Sequence, residues 1–178
     1  MITGCYDSHP VSHRTQRAAR LVILLLAIFW ARTGAAWTVD VAKDPLTRQE
    51  HCMLHSETQT IPDGYGETPV SLVFNGEALL VVMESHIDTG FADLELLVDE
   101  QASIKTTKVA KQIIVIFDND LAALIDQFKK GHETTVYLRF WPTWPATQRF
   151  PAKFSLKGFT KAYNDFEQSC RQGRQADQ

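Results

Sequence analysis

The stretch Glu50-His51-Cys52-Met53-Leu54-His55 gathers two imidazoles, a thiol and a thioether within six positions. Soft ligands of this kind suit copper or zinc, so His51 and His55, with Cys52 if its sulfur is a free thiolate, form a candidate metal site. A second group is acidic, comprising Asp93, Glu95, Asp99 and Glu100. Two carboxylates facing one cleft could carry acid and base steps on a glycan, although alternate residues of a strand more often face solvent. His86 and His132 have no Ser or Cys partner in a recognisable arrangement, and Ser85 and Ser155 lack the glycines of a nucleophile elbow. Gly64-Tyr65-Gly66 reads as a turn, because a phosphate-cradling loop needs a strand before it and a helix after it. No catalytic constellation is recognisable and no cofactor is called for. The expectation is therefore a non-enzymatic protein, with a metal-handling protein using His51, Cys52 and His55, or a weak glycan hydrolase using the acidic strand, as alternatives.

A third group is aromatic. In RFWPTWPATQRFP, residues 139–151, Trp141 and Trp144 stand among Pro142, Pro145 and Pro151. Proline cannot donate to a strand ladder and belongs at turns and edges, which explains the prolines. A turn does not require large rings, however. Two tryptophans near a sheet end either form a stacking platform for a sugar, a peptide or a partner's side chain, or fold back over an open end of the core. The candidate binding residues are Trp141, Trp144 and Gln148, with Tyr65 from the turn-rich segment 61–69.

The N-terminus sets the compartment. Arg14, Arg17 and Arg20 precede an apolar run from position 21 to 30, followed by the small residues Gly34, Ala35 and Ala36. This is the pattern of a secretory signal peptide, and the run is shorter than the roughly 20 residues a spanning helix needs. The expected signal is 1–36, which leaves no membrane span after cleavage. Removing Arg14, Arg17, Arg20 and Arg32 from 18 basic residues, and Asp7 from 21 acidic ones, leaves 14 against 20, a net charge of −6. Nucleic-acid binding draws its affinity from Lys and Arg on phosphates, so an acidic domain is not suited to it. Two cysteines remain, Cys52 and Cys170. Exported thiols usually pair, so a Cys52–Cys170 disulfide is expected, with free thiols or a metal at Cys52 as the alternatives.

The remaining 142 residues suit one domain, 37–170, with a polar tail, 171–178, expected to be mobile. After a polar segment read as irregular, strands are expected at 70–74 and 78–85, joined through Asn75-Gly76, a pair that tolerates the positive φ of a tight hairpin. A two-residue turn would place Leu72 opposite Leu79 and Val70 opposite Val81. Leu94, Leu96 and Val98 alternate with Asp93, Leu97 and Asp99, one face apolar and the other mixed and acidic, and 112–117 reads as a continuous apolar strand, central in its sheet. Asp118-Asn119-Asp120 supplies capping oxygens for a helix at 119–130 whose Leu121, Leu124, Ile125 and Phe128 form one stripe, with Gly131 able to close it in the left-handed conformation. Strands at 134–141 and 150–156 are joined by the tryptophan stretch, and Phe159, Tyr163 and Phe166 mark a second short helix, 159–168. The expected fold is mainly β: an antiparallel β-sandwich-like single domain with two short α-helices.

The run Phe154-Ser155-Leu156-Lys157-Gly158-Phe159-Thr160-Lys161-Ala162, preceded by a helix, a glycine and a strand, resembles the C-terminal signature of the invasion-associated locus B family. The resemblance is concentrated in about the last 40 residues. It implies a small exported β-sandwich domain, periplasmic or outer-membrane associated, linked in some pathogens to host-cell entry, and it implies no catalytic residues; secretion is a further expected destination. The partner expected on this reading is an envelope or host protein, or a glycan.

Overall fold

The computed structural model of the chain describes residues 36–144 and 148–176, with the backbone alone from 171 onward. The expected export signal, 1–36, lies outside the described residues except for Ala36. The remainder forms two antiparallel sheets with a shared core and two helices, a β-sandwich-like single domain.

The segment read as irregular is a hairpin. Strand β1 (Trp37–Lys43) pairs with β2 (Glu50–Ser56) over its whole length, Trp37 opposite Ser56 and Lys43 opposite Glu50. Polar or small residues at alternate positions hide the pattern, because Val39 and Val41 are interleaved with Thr38, Asp40 and Ala42. The turn is fixed by Asp44, whose carboxylate accepts from the N–H groups of Leu46 (2.6 Å) and Thr47 (3.0 Å). Its other oxygen accepts from the Asn75 amide (2.8 Å), which ties this turn to the one at Asn75-Gly76.

The segment 61–69 is likewise a hairpin, with β3 (Gln59–Pro62) against the start of β4 (Glu67–Phe74). Strand β4 continues beside β5 (Leu79–Met83) with Phe74 opposite Leu79, Leu72 opposite Val81 and Val70 opposite Met83. This is two residues out of the register expected from Asn75-Gly76. The turn spans four residues: the Asn75 side chain accepts from Glu77 and Ala78 N–H at 3.0 Å each, and only Gly76 takes a positive φ, 95°. A slip of two keeps every side chain on its face. Val70, Leu72, Phe74, Leu79, Val81 and Met83 face the main core, whereas Met53, Val73, Ala78, Leu80 and Ile114 form a second cluster on the other face.

The large sheet runs β1-β2-β4-β5-β9-β8, with β3 on β4; β8 is Val109–Ala110 and β9 is Ile114–Phe117. Strand β9 is thus one place from an edge rather than central. It is apolar because Val115 and Phe117 enter the main core while Ile114 enters the second cluster. The other sheet runs β11-β10-β6-β7, from β6 (Leu94–Val98), β7 (Ile104–Thr106), β10 (Glu133–Leu138) and β11 (Phe150–Ser155).

Helix α1 (Leu121–Lys130) starts at Asp120, whose side chain accepts from Ala123 N, and ends at Gly131. Gly131 is extended, φ −83°, not left-handed. A glycine is needed there for space: a Cβ would lie 2.4 Å from Val98 Cγ1 and 3.0 Å from Leu156 Cδ1. Helix α2 (Phe159–Ala176) runs past the expected end at position 168, through residues whose polarity read as a tail but which include good helix formers.

Trp37 closes the assembly. Its ring is buried edge-on against Phe128 of α1 and Phe159 of α2, centroids 6.1 and 4.9 Å away, and its indole N–H donates to the Ser155 carbonyl of β11 (2.8 Å). Phe74 holds the next turn of α2 through Phe166 (5.2 Å). Cys52 and Cys170 form a disulfide, Cα atoms 5.6 Å apart and 118 residues apart in sequence. Closing so long a loop contributes at most about 4–5 kcal/mol through the unfolded chain. Replacing both cysteines by serine should lower the urea unfolding free energy by up to that amount; an unchanged midpoint would show that the bridge does not constrain the unfolded chain.

Candidate functional site

The exposed aromatic residues converge at one end of the sandwich, where three connections meet. The first is the β3–β4 turn. Asp63 Oδ1 accepts from the N–H groups of Tyr65 (2.9 Å) and Gly66 (2.7 Å), and Oδ2 accepts from the Ser85 hydroxyl (2.6 Å), so the turn is bound to the end of β5. The second is the segment after β5. Ile87 forms a single bridge with Phe140, Asp88 N donates to the Arg139 carbonyl (2.9 Å), and Trp141 N donates to the His86 carbonyl (2.8 Å). The third is the β10–β11 connection, which begins at Trp141 with a cis peptide to Pro142. The Thr143 hydroxyl, buried, donates to the equally buried Asp88 carboxylate.

These anchors hold the backbone and leave the rings outside. Trp141 is 65% exposed, Trp144 80% and Tyr65 58%. The Tyr65 hydroxyl donates to the Trp144 carbonyl (2.7 Å), which joins two connections far apart in sequence. Gln148 is exposed on the same connection. The end of the core is closed instead by Phe140 and Phe150, both buried, with ring centroids 5.8 Å apart. The two tryptophan side chains are therefore not a cover for the core.

Phe91 and Arg139, which sequence reasoning did not single out, flank this end. Phe91 is half-exposed, and the Arg139 guanidinium lies 4.4 Å from its ring centroid while donating to Asp93 through Nε (3.0 Å). Arg149 lies 4.8 Å from the Tyr137 ring and donates to Glu95. The signal available in the sequence was the i, i+2 spacing of Asp93, just before β6, and Glu95 within it, with Arg139 just after β10 and Arg149 just before β11.

Three of the four acidic residues weighed for hydrolysis are thus engaged in structural contacts. Asp93 and Glu95 each hold an arginine, and Asp99 accepts from His132 N (3.1 Å) and Glu133 N (2.9 Å), which fixes the loop before β10. Glu100 is exposed in the turn after β6. For the candidate metal group, Cys52 is in the disulfide and has no thiolate to offer. His51 and His55 are four residues apart on one extended strand, so their backbones are separated by about 13 Å, too far to share an ion. His55 Nε2 lies 3.0 Å from Asp40 Oδ1, without the alignment of a hydrogen bond. Among the described residues no group of three or more His, Cys, Asp or Glu is arranged to hold a metal, and no helix is long and apolar enough to cross a membrane.

The fold is that of a small two-sheet antiparallel β domain with an aromatic end. No family model and no curated protein matches the chain. Among solved structures it is similar to the crystal structure of invasion associated protein B from Bartonella henselae, with 18% identity, a TM-score of 0.45, and coverage of 76% of this chain and 94% of that one.

Three aspartates give the architecture an acid limit. At Asp63 the Ser85 hydroxyl, then the Tyr65 N–H, hold the carboxyl below its ordinary value. At Asp99 the Glu133 and His132 N–H groups do the same. At Asp44 burial pushes the carboxyl up, but the bonds from Asn75, Thr47 and Leu46 and the charge of His51 outweigh it, and the net direction is down. A carboxyl depressed in the folded state is protonated first in the unfolded one, so its contribution is present above the unfolded value of about 3.9 and is lost as pH falls through the folded value. Urea midpoints should stay level from neutral pH to about 5 and fall below about 4, and Asp44→Asn should flatten that acid limb. Stability that rose on acidification would contradict these assignments.

Proposed function

We propose that this chain is an exported, non-enzymatic binding or accessory protein of the bacterial cell envelope, which captures an envelope or host partner through Tyr65, Trp141, Trp144 and Gln148. The observation that carries this reading is the exposure of three large aromatic side chains on connections whose backbone is pinned by buried or paired polar groups. Large exposed rings gathered on linked connections mark interaction sites, and rings on rigid backbone lose little entropy on binding. Tyr and Trp also supply the bulk of the energy in many interfaces.

Export to the periplasm, with the outer membrane or the medium as further destinations, is supported by the signal-like segment 1–36 and by the Cys52–Cys170 disulfide, which persists only in an oxidising compartment. Contact with host cells is supported by the resemblance of the run 154–162 to the invasion-associated signature.

Labelled, oxidised protein carrying Trp141→Ala and Trp144→Ala together should keep its unfolding free energy within about 0.5 kcal/mol, as exposed sites do. Its retention on envelope fractions and host cells should fall by roughly tenfold or more, as expected for loss of central aromatic anchors. Retention equal to that of the unaltered protein would refute the reading, and so would a variant that no longer folds, because the rings would then belong to the core.

A further inference from the structure

A second surface, independent of the aromatic end, lies along β1. This strand is the last in its sheet, and its hydrogen-bond parity follows from the bonds at its two ends. Glu57 N donates to the Ala36 carbonyl (2.9 Å) and Asp44 N to the Gln49 carbonyl (2.8 Å). In an antiparallel pair, residues that exchange bonds alternate with residues that do not. The even-numbered residues of β1 are therefore bonded to β2. The N–H and C=O groups of Trp37, Val39, Val41 and Lys43 point away from it, and the described residues offer them no backbone partner.

These outward groups border a groove of about 420 Å³ between β1 and α2. Val39, Val41 and Cys52 line one side, and Ala162, Asp165 and Ser169, on one stripe of the helix, line the other. Val41 is 70% exposed, unusual for a β-branched residue in a long, fully paired strand. Natural edges are commonly blunted by proline, by lysine at the centre, by a bulge or by a short strand. Here the strand is seven residues long, is paired to β2 at every position, has its one lysine at its end, and has its central carboxylate, Asp40, turned to His55 of β2, 3.0 Å away.

We propose that β1 is a docking edge for an extended peptide segment of a partner protein, which adds a strand antiparallel or parallel to β1 and inserts alternate side chains beneath α2. The free ladder of donors and acceptors selects an extended backbone. The groove selects small or β-branched side chains against Val39 and Val41, and a cationic one where Asp165 stands. Asp165 is half-exposed, and its one ion partner among the described residues, Lys161, is 3.7 Å away, which leaves room for a second cation. The acidic balance of residues 37–178 favours the same partner charge.

The test uses the oxidised protein and the fluorescein-labelled, end-blocked peptide Thr-Val-Thr-Val-Thr-Lys-Thr, read by anisotropy. Saturable binding is expected. It should weaken by roughly tenfold or more when alternate amides of the peptide are N-methylated, and equally in Val41→Pro, which removes one outward N–H at a position where an edge strand tolerates proline. Asp165→Asn, and a peptide with Glu in place of Lys, should each weaken it by a smaller factor. If Val41→Pro does not fold, Val41→Lys, which blocks the edge with a charge, gives the deciding comparison. No binding to the unaltered protein, or binding indifferent to N-methylation and to the Val41 change, would overturn the proposal. So would self-association in sedimentation that the Val41 change abolishes, because the edge would then serve a second copy.

Discussion

The fold depends on closing a sandwich whose first strand and last helix are more than 100 residues apart in sequence. Trp37 does this from inside. One indole touches both helices and donates to the end of β11, so that β1, the small sheet and the two helices share a single buried contact point. The disulfide does it from the rim, joining β2 to α2 one step away from the same face. Without these two constraints α2 would rest on Phe159 against Phe128 and on Tyr163 and Phe166 against Phe74, and a helix with a narrow apolar stripe is only marginally stable by itself. The core of both sheets lies beneath it.

With that frame closed, the opposite end is free to carry surface. The connections there are fixed by short polar links rather than by burial of their large side chains: Asp63 to Ser85, Asp88 to Thr143, Tyr65 to the Trp144 carbonyl. Each link satisfies a group that a loop would otherwise leave to water, and each leaves a ring pointing outward. The same economy explains the acidic strand. Asp93 and Glu95 neutralise Arg139 and Arg149, which in turn lie over Phe91 and Tyr137.

Much of this was legible in the sequence because periodicity and turn chemistry are local. The alternation of Leu94, Leu96 and Val98, the stripe of α1, the Asp120 cap and the pairing of the two strands around the tryptophans all follow from neighbours. What was not legible depended on distance or context. The β1–β2 hairpin was hidden because an edge strand with one face open reads as polar. Asn75-Gly76 signalled a hairpin but not its length, since the Asn75 side chain bonds to Glu77 and Ala78 and widens the turn by two residues. Gly131 was explained by backbone conformation when the cause is the approach of Val98 and Leu156, which no local pattern records. The cluster at 50–55 looked like ligands because strand geometry, which sets His51 and His55 about 13 Å apart, and the partner of Cys52 are not visible in composition. The aromatic residues were found, but the sequence left open whether they cover the core, and only the burial of Phe140 and Phe150 in their place decides it.

The proposed export and the closure of the frame by Trp37 and the Cys52–Cys170 disulfide meet in one test. The direct measurement is the intact mass of the protein recovered from the periplasm without reductant, before and after alkylation under denaturing conditions. A chain beginning at Trp37, two hydrogens lighter than its reduced form and unreactive to alkylation, is the result predicted here. A full-length chain confined to the cytoplasm with both thiols alkylated would contradict it.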